Sequence, residues 1–282
     1  MHYVQSNGIQ IHYRIEGPRD AAALILANSI ATELSVWDEV VEELAPHVRV
    51  IRYDARGQGG TDAPDEPYAI AQLARDVLGL MDHLELHKVN FCGLSLGGMV
   101  GMWLASHYPD RIERLALCNT AAAVPPPESW DQRAELARRQ GMEAILPAVR
   151  SRWLSEGCLS EQPIKAGRLM DMVRASPVNG YIGGCAAIRD MDQSRSIAAI
   201  LAPVLLVAGQ YDQATPLDQL LFIRRQLTAD AAYVELPCGH MSNVEKPREL
   251  ARELLAFISN GDPPRSSCDA TIPERDRASG AY

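Results

Sequence analysis

The sequence predicts an α/β fold: a mostly parallel, twisted sheet with helices on both faces and a helical cap insertion. Three observations carry this. Compact apolar runs alternate with helix-period patterns along most of the chain, a rhythm that places parallel strands beneath covering helices. A hairpin precedes that rhythm. Between residues 121 and 198 the rhythm breaks, and helical patterns run on with no convincing strand.

In chain order, residues 3–15 alternate around Asn7-Gly8, with Ile9, Ile11, Tyr13 and Ile15 on one face, a hairpin signal. Strands are expected at 22–27, 48–53, 89–92, 115–118, 204–208 and 232–236. Between them Val36, Trp37, Val40, Val41 and Leu44 keep a helical period, as do Ile70, Leu73, Val77, Leu80 and Leu84. Residues 98–107 read as helix. Near the end, Leu250, Leu254, Phe257 and Ile258 repeat the period after Pro247, a first-turn residue. The division that follows is a core of 1–120 and 199–260, a helical cap of 121–198, and a tail of 261–282. The tail is polar, holds Pro263-Pro264 and mixed charges, and is expected to be disordered.

The 282 residues fit one large domain with an insertion, and a hydrophobic fraction of 47% argues against global disorder. Lys and Arg total 27 against 36 Asp and Glu, a net charge of −9, and no basic stretch offers a nucleic-acid footprint. The longest apolar runs, such as 21–27, fall far short of a membrane span, and the first residues lack a signal-peptide pattern. A cytoplasmic protein is expected, with neither membrane nor nucleic-acid partner; the sequence leaves its oligomeric state open. The cysteines at 92, 118, 158, 185, 238 and 268 form no C-x-x-C pair and no zinc-like spacing, and H-E-x-x-H is absent. No metal or cofactor is expected.

The chemistry gathers at strand ends. Gly93-Leu94-Ser95-Leu96-Gly97 is a G-x-S-x-G run between the apolar stretch at 89–92 and a helical one. A serine on such a turn stands above the sheet, and the flanking glycines permit close backbone approach. A serine hydroxyl needs a base. Of the seven histidines only His240, in Pro237-Cys238-Gly239-His240, follows the carboxyl end of an expected strand, the edge where such sheets carry ligands. Asp212 follows the strand at 204–208, and Thr215-Pro216 then opens a helix; after the preceding strand, Asn119-Thr120-Ala121 offers no carboxylate. Ser95, Asp212 and His240 are therefore the expected triad, in the chain order Ser, Asp, His. The expected oxyanion donors are the amides of Leu96 and of Ile30, the latter in the loop Asn28-Ser29-Ile30-Ala31-Thr32. Arg56, in the loop Asp54-Ala55-Arg56-Gly57-Gln58-Gly59, reads as structural. In the insertion, Trp130, Trp153, Met142, Met170, Met172 and Met191 pack a helical bundle, some of them lining a pocket.

On these residues the chain resembles the α/β-hydrolase superfamily, and within it the 3-oxoadipate enol-lactonases. The likeness spans about residues 10–258. Its superfamily marks are the G-x-S-x-G-G run, the 54–59 loop, Asp212 and Gly239-His240. Closer marks are Asn28-Ser29 in place of His-Gly, Trp37-Asp38, Phe91-Cys92-Gly93, Leu117-Cys118-Asn119-Thr120-Ala121 and the run from Cys185 to Asp190. The chain departs from the family pattern with Ile30-Ala31 for Leu-Gly and Gln58 for His. The resemblance implies hydrolysis of a small carboxylate-bearing enol-lactone through an acyl-enzyme. A broader small-ester esterase or lactonase, or a non-catalytic receptor on the same fold, are the alternatives. An anionic substrate facing a net charge of −9 needs local cations, and Arg133, Arg152 and Arg189 are candidates. Trp130 and Trp153, with Arg133 and Arg189, are the expected substrate contacts.

Overall fold

The computed structural model describes residues 2–259. Its eight strands are β1 (His2–Ser6), β2 (Ile9–Glu16), β3 (Ala23–Ala27), β4 (Arg49–Tyr53), β5 (Val89–Leu94), β6 (Ile112–Cys118), β7 (Val204–Gly209) and β8 (Ala231–Leu236). They form one sheet in the order β1-β2-β4-β3-β5-β6-β7-β8. Only β1 with β2 and β2 with β4 pair antiparallel. The hairpin turn is Asn7-Gly8, both at positive φ (47° and 79°), a conformation that matches the strand twist and that Asn and Gly tolerate best.

The helices are α1 (Asp38–Leu44), α2 (Ile70–His83), α3 (Leu96–His107), α4 (Pro127–Gln140), α5 (Leu146–Trp153), α6 (Glu156–Glu161), α7 (Pro163–Ala175), α8 (Val178–Arg189), α9 (Leu217–Gln226), α10 (Ser242–Glu245) and α11 (Pro247–Ser259). The chain steps from β3 to β4 in one direction along the sheet and from β4 to β5 in the other. Right-handed crossovers therefore put α1 and α2 on opposite faces. Packing agrees: α1 lies against α11, whereas α2 lies against α3. Every residue of β5 and β7 is buried, as strands covered on both faces must be.

Among the strands, two ends differ from the sequence pattern by more than one residue. β6 begins at Ile112 rather than 115, because Glu113 and Arg114 interrupt the apolar run while the backbone still pairs from Val89↔Ile112 onward. β5 runs to Leu94 and α3 starts at Leu96, so one residue alone makes the bend between strand and helix.

Between β6 and β7 lie helices α4 to α8 and no strand of the sheet. The two ends of this segment meet in an antiparallel bridge, Ala123↔Asp192, and the Gln193 amide donates to Ala122 O at 2.8 Å. Helix α8 sits on the loop after β4 with almost no clearance: a Cβ on Gly180 would lie 1.9 Å from Gly57 O. Beside it, the Tyr68 amide donates to Gly183 O at 3.2 Å. In that loop Arg56 grips both oxygens of Asp76 (2.9 and 2.8 Å) and donates to Asn7 O, which ties the hairpin turn to α2.

Among the described residues no helix is long and apolar enough to cross a membrane, and no group of three or more His, Cys, Asp or Glu is placed to hold a metal ion. Cys92, Cys118, Cys158, Cys185 and Cys238 are free and buried. The expected disordered tail, with Cys268, lies outside the described residues.

Candidate active site

Ser95 is the single residue between β5 and α3, at φ 55° and ψ −113°. A non-glycine residue held at positive φ stores local strain, so its surroundings must over-determine it. They do. The Ser95 amide donates to Cys118 O (3.0 Å), and its carbonyl accepts from the Met99 amide (3.0 Å) and from Thr120 Oγ1 (2.7 Å). The flanking glycines allow the turn to close: a Cβ at Gly93 would lie 2.2 Å from the Gly97 carbonyl, and one at Gly97 would lie 2.3 Å from Ala27 O.

His240 follows β8 in a loop whose backbone is stitched to the helical segment. The amides of His240 and Met241 donate to Trp153 O at 2.8 and 3.3 Å. The Trp153 ring lies 5.7 Å from the imidazole, centroid to centroid. The imidazole Nδ1 meets Asp212 Oδ2 at 2.9 Å, and both side chains are buried. Asp212 follows β7. Its Oδ1 accepts from the amides of Ala214 (2.8 Å) and Thr215 (2.9 Å). Its Oδ2 also accepts from Thr215 Oγ1 (2.9 Å) and Asn119 Nδ2 (3.0 Å). Burial alone would raise the pKa of this carboxyl. The attraction and hydrogen bond of His240, then the bonds from Thr215 and Asn119, outweigh burial and hold it below the ordinary carboxylate value.

A cavity of about 180 Å³ has Ser95 and His240 on its wall, together with Ile30, Trp130, Arg133, Arg152 and Trp153. Its small volume suits a small ligand. Leu96 opens α3, so its N–H is one of the first-turn amides with no acceptor inside the helix. The loop that carries Ile30 is anchored through Asn28. That side chain accepts from Trp37 Nε1 (2.9 Å) and donates to Tyr53 O (3.3 Å), and the Asn28 carbonyl accepts from the Gly97 amide (3.0 Å). The motif at 28–29 and Trp37 are thus one structural unit that fixes the loop against α3.

Two guanidiniums reach this cavity. Arg133 lies over the Trp130 ring, 5.0 Å from its centroid. Arg152 donates to Gln213 O at 3.3 and 3.1 Å. Desolvation, then repulsion from Arg133, hold Arg152 below its ordinary pKa against the pull of Asp212. Among the described residues neither arginine forms an ion pair. Arg189 is not brought here: it pairs with Asp131 (2.8 Å) and Asp190 (2.7 Å) outside the cavity wall.

Three further residues belong to the arrangement. Asn119 and Thr215 bind Asp212, and sequence reading passed over both because it sought a carboxylate and a helix start. The third is Glu245, in the short helix after His240. Its buried carboxylate accepts from the Ser155 amide (3.0 Å), Ser155 Oγ (2.5 Å) and the Gly239 amide (3.2 Å), joining the helical segment to the His240 loop. Glu245 stands five residues past His240 among Ser242, Asn243 and Lys246, so the local sequence carries no signal of its burial. A larger cavity of about 660 Å³, lined by Ser155, Cys158, Tyr211 and Glu245, includes neither Ser95 nor His240.

A profile of the family described as alpha/beta hydrolase fold matches residues 22–247. "3-Oxoadipate enol-lactonase 2" of Acinetobacter baylyi is 35% identical over 250 residues, covering 89% of this chain and 93% of the relative. "3-Oxoadipate enol-lactonase 1" of the same organism is 28% identical, covering 90% and 94%. Among solved structures, the enol-lactonase from Burkholderia xenovorans superposes with a TM-score of 0.89 at 40% identity, covering 92% of this chain and all of that one (100%).

Proposed function

The chain belongs to the alpha/beta-hydrolase family and is a hydrolase; on that premise we propose that it opens 3-oxoadipate enol-lactone to 3-oxoadipate. The observation that carries this reading is two arginines that form no salt bridge, among the described residues, on the wall of the cavity that Ser95 and His240 line. A small substrate with its own carboxylate answers that charge, and guanidinium groups bind carboxylates in a two-pronged geometry. The likeness to enol-lactonases supports the same substrate class.

In this reading Ser95, His240 and Asp212 act as a triad. Ser95 Oγ attacks the lactone carbonyl while His240 takes its proton, and Asp212 orients the imidazole and balances its charge. The amides of Leu96 and Ile30 hold the oxyanion. Collapse breaks the ring C–O bond, and the His240 imidazolium returns its proton to the leaving enolate oxygen, which gives an enol still tethered to the acyl chain and leaves His240 free as a base. An enolate is a stable leaving group and asks less of the acid than an amide would. A water deprotonated by His240 then frees the acyl group as a carboxylate, and the enol becomes the ketone. Helices α4 to α8 serve as the cap, with Trp130 and Trp153 as walls and Arg133 and Arg152 as the carboxylate clamp. Arg189, already paired, takes no part.

The test compares the enol-lactone with neutral esters of similar size. Higher kcat/KM on the lactone is expected; higher kcat/KM on neutral esters would overturn the lactonase reading and leave a broader esterase. Ser95→Ala should lower kcat by roughly 10⁶. Retained binding with no turnover of any ester by the unmodified protein would favour a receptor.

A further inference from the structure

We propose that Asn119 is a positioning residue that holds the acid, the histidine loop and the nucleophile's turn in one register; the assignment rests on the triad reading above. Strand β6 ends at Cys118, and the next residue, Asn119, takes φ 47°. Asparagine tolerates this left-handed conformation better than most residues. Its backbone N–H donates to Val207 O at 2.9 Å, which pins the turn to β7. Its side-chain nitrogen has two hydrogens and two acceptors: Asp212 Oδ2 at 3.0 Å and Gly239 O at 3.2 Å. The residues on either side hold Ser95 instead. Cys118 O accepts the Ser95 amide at 3.0 Å, and Thr120 Oγ1 donates to the Ser95 carbonyl at 2.7 Å. Three consecutive residues therefore touch the nucleophile's backbone, the acid, and the residue before the base.

The chemistry of the position selects an amide. A hydroxyl has one hydrogen and cannot donate to both acceptors, and a carboxylate here would face that of Asp212 at hydrogen-bonding distance. Space is reserved for it: a Cβ on Gly209 would lie 2.9 Å from Asn119 Nδ2 and 2.1 Å from Gly239 O. By donating to Asp212, Asn119 helps keep that carboxylate ionised against the opposing effect of burial.

Two substitutions test this without forcing the backbone, since Gly and Asp both accept positive φ. For Asn119→Gly, kcat per folded enzyme should fall roughly 10- to 100-fold, the loss expected for a hydrogen bond to a charged group, with KM within about twofold. The acid limb of the kcat/KM profile should move to higher pH, because that limb reports proton uptake by the coupled Asp212–His240 pair, and the pair loses a donor that favours its deprotonated form. Asn119→Asp should move the limb further in the same direction by placing a second carboxylate beside the first. An undiminished kcat, a kcat loss with an unmoved limb, or failure of both variants to fold would each overturn the proposal. Ser95→Ala is assayed alongside: retained turnover there would bring down the triad reading itself, whereas a dead Ser95→Ala beside a fully active Asn119→Gly would bring down only the role of Asn119.

Discussion

The two oxygens of Asp212 do different work. Oδ1 accepts the amides of Ala214 and Thr215, which fixes the side chain, and Oδ2 meets His240 Nδ1 alongside Thr215 Oγ1 and Asn119 Nδ2. In Asp212→Asn the amide group that meets Nδ1 would have to be either a donor, which forces the wrong imidazole tautomer, or an oxygen, which carries less charge. A fall in kcat of roughly 10⁴ is expected, read by steady-state kinetics; full activity would mean the acid lies elsewhere. The same substitution should change stability in a pH-dependent way. A carboxyl whose folded pKa lies below its unfolded value of about 3.9 adds stability above that value and loses it as pH falls through the folded one. The unfolding gap between wild type and Asp212→Asn should therefore be present at neutral pH and close below about pH 4. Ser95, Asp212 and His240 could be noticed in the sequence because each lies within four residues of a strand's carboxyl end and carries the side chain of a nucleophile, an acid or a base. Asn119 could not, because its worth depends on two acceptors 93 and 120 residues away. Glu245 was hidden for the same reason, its partner Ser155 being 90 residues distant.

Helices α7 and α8 carry glycines with opposite consequences. Gly167, inside α7, is exposed and has nothing within 4 Å of an added Cβ. Alanine there should stabilise the fold by about 0.5–1 kcal/mol through helix propensity and a less flexible unfolded chain. Gly180, inside α8, is back to back with Gly57, and an alanine methyl would collide with backbone rather than with a yielding side chain. Propensity favours the substitution by about 1 kcal/mol, but the clash, typically costing about 1–3 kcal/mol, should win. Thermal melts of Gly167→Ala and Gly180→Ala should therefore move in opposite directions; a rise in both would mean that α8 can lift off the loop cheaply. The sequence pattern foretold the alternation of strand and helix, since the apolar periods are local. It could not say which helix after β6 rests on the sheet's loops, because α8 is chosen by glycines that leave no hydrophobic signature.

The molecule as a whole carries nine net negative charges, yet its small cavity presents two unpaired guanidiniums among the described residues. An anion is thus repelled by the bulk of the surface and attracted only locally, so the loss of one cation should be felt by anions alone. Arg133→Ala is expected to lower kcat/KM for the enol-lactone by roughly 10- to 100-fold, the loss of a charge-assisted hydrogen-bonded pair. Neutral esters should stay within a few-fold; equal losses on both would show that Arg133 matters through its packing on Trp130. The joining of Trp153 O to the amides of His240 and Met241, and of Ser155 to Glu245, reaches further still. A hybrid built by grafting another chain's helices onto this sheet would inherit a foreign 153–155 turn while keeping its native receiving loop at 239–245. The imidazole would then take its place from a stranger. Swaps of this sort should preserve turnover only when both short stretches travel together, which makes two fragments distant in the chain a single unit of inheritance.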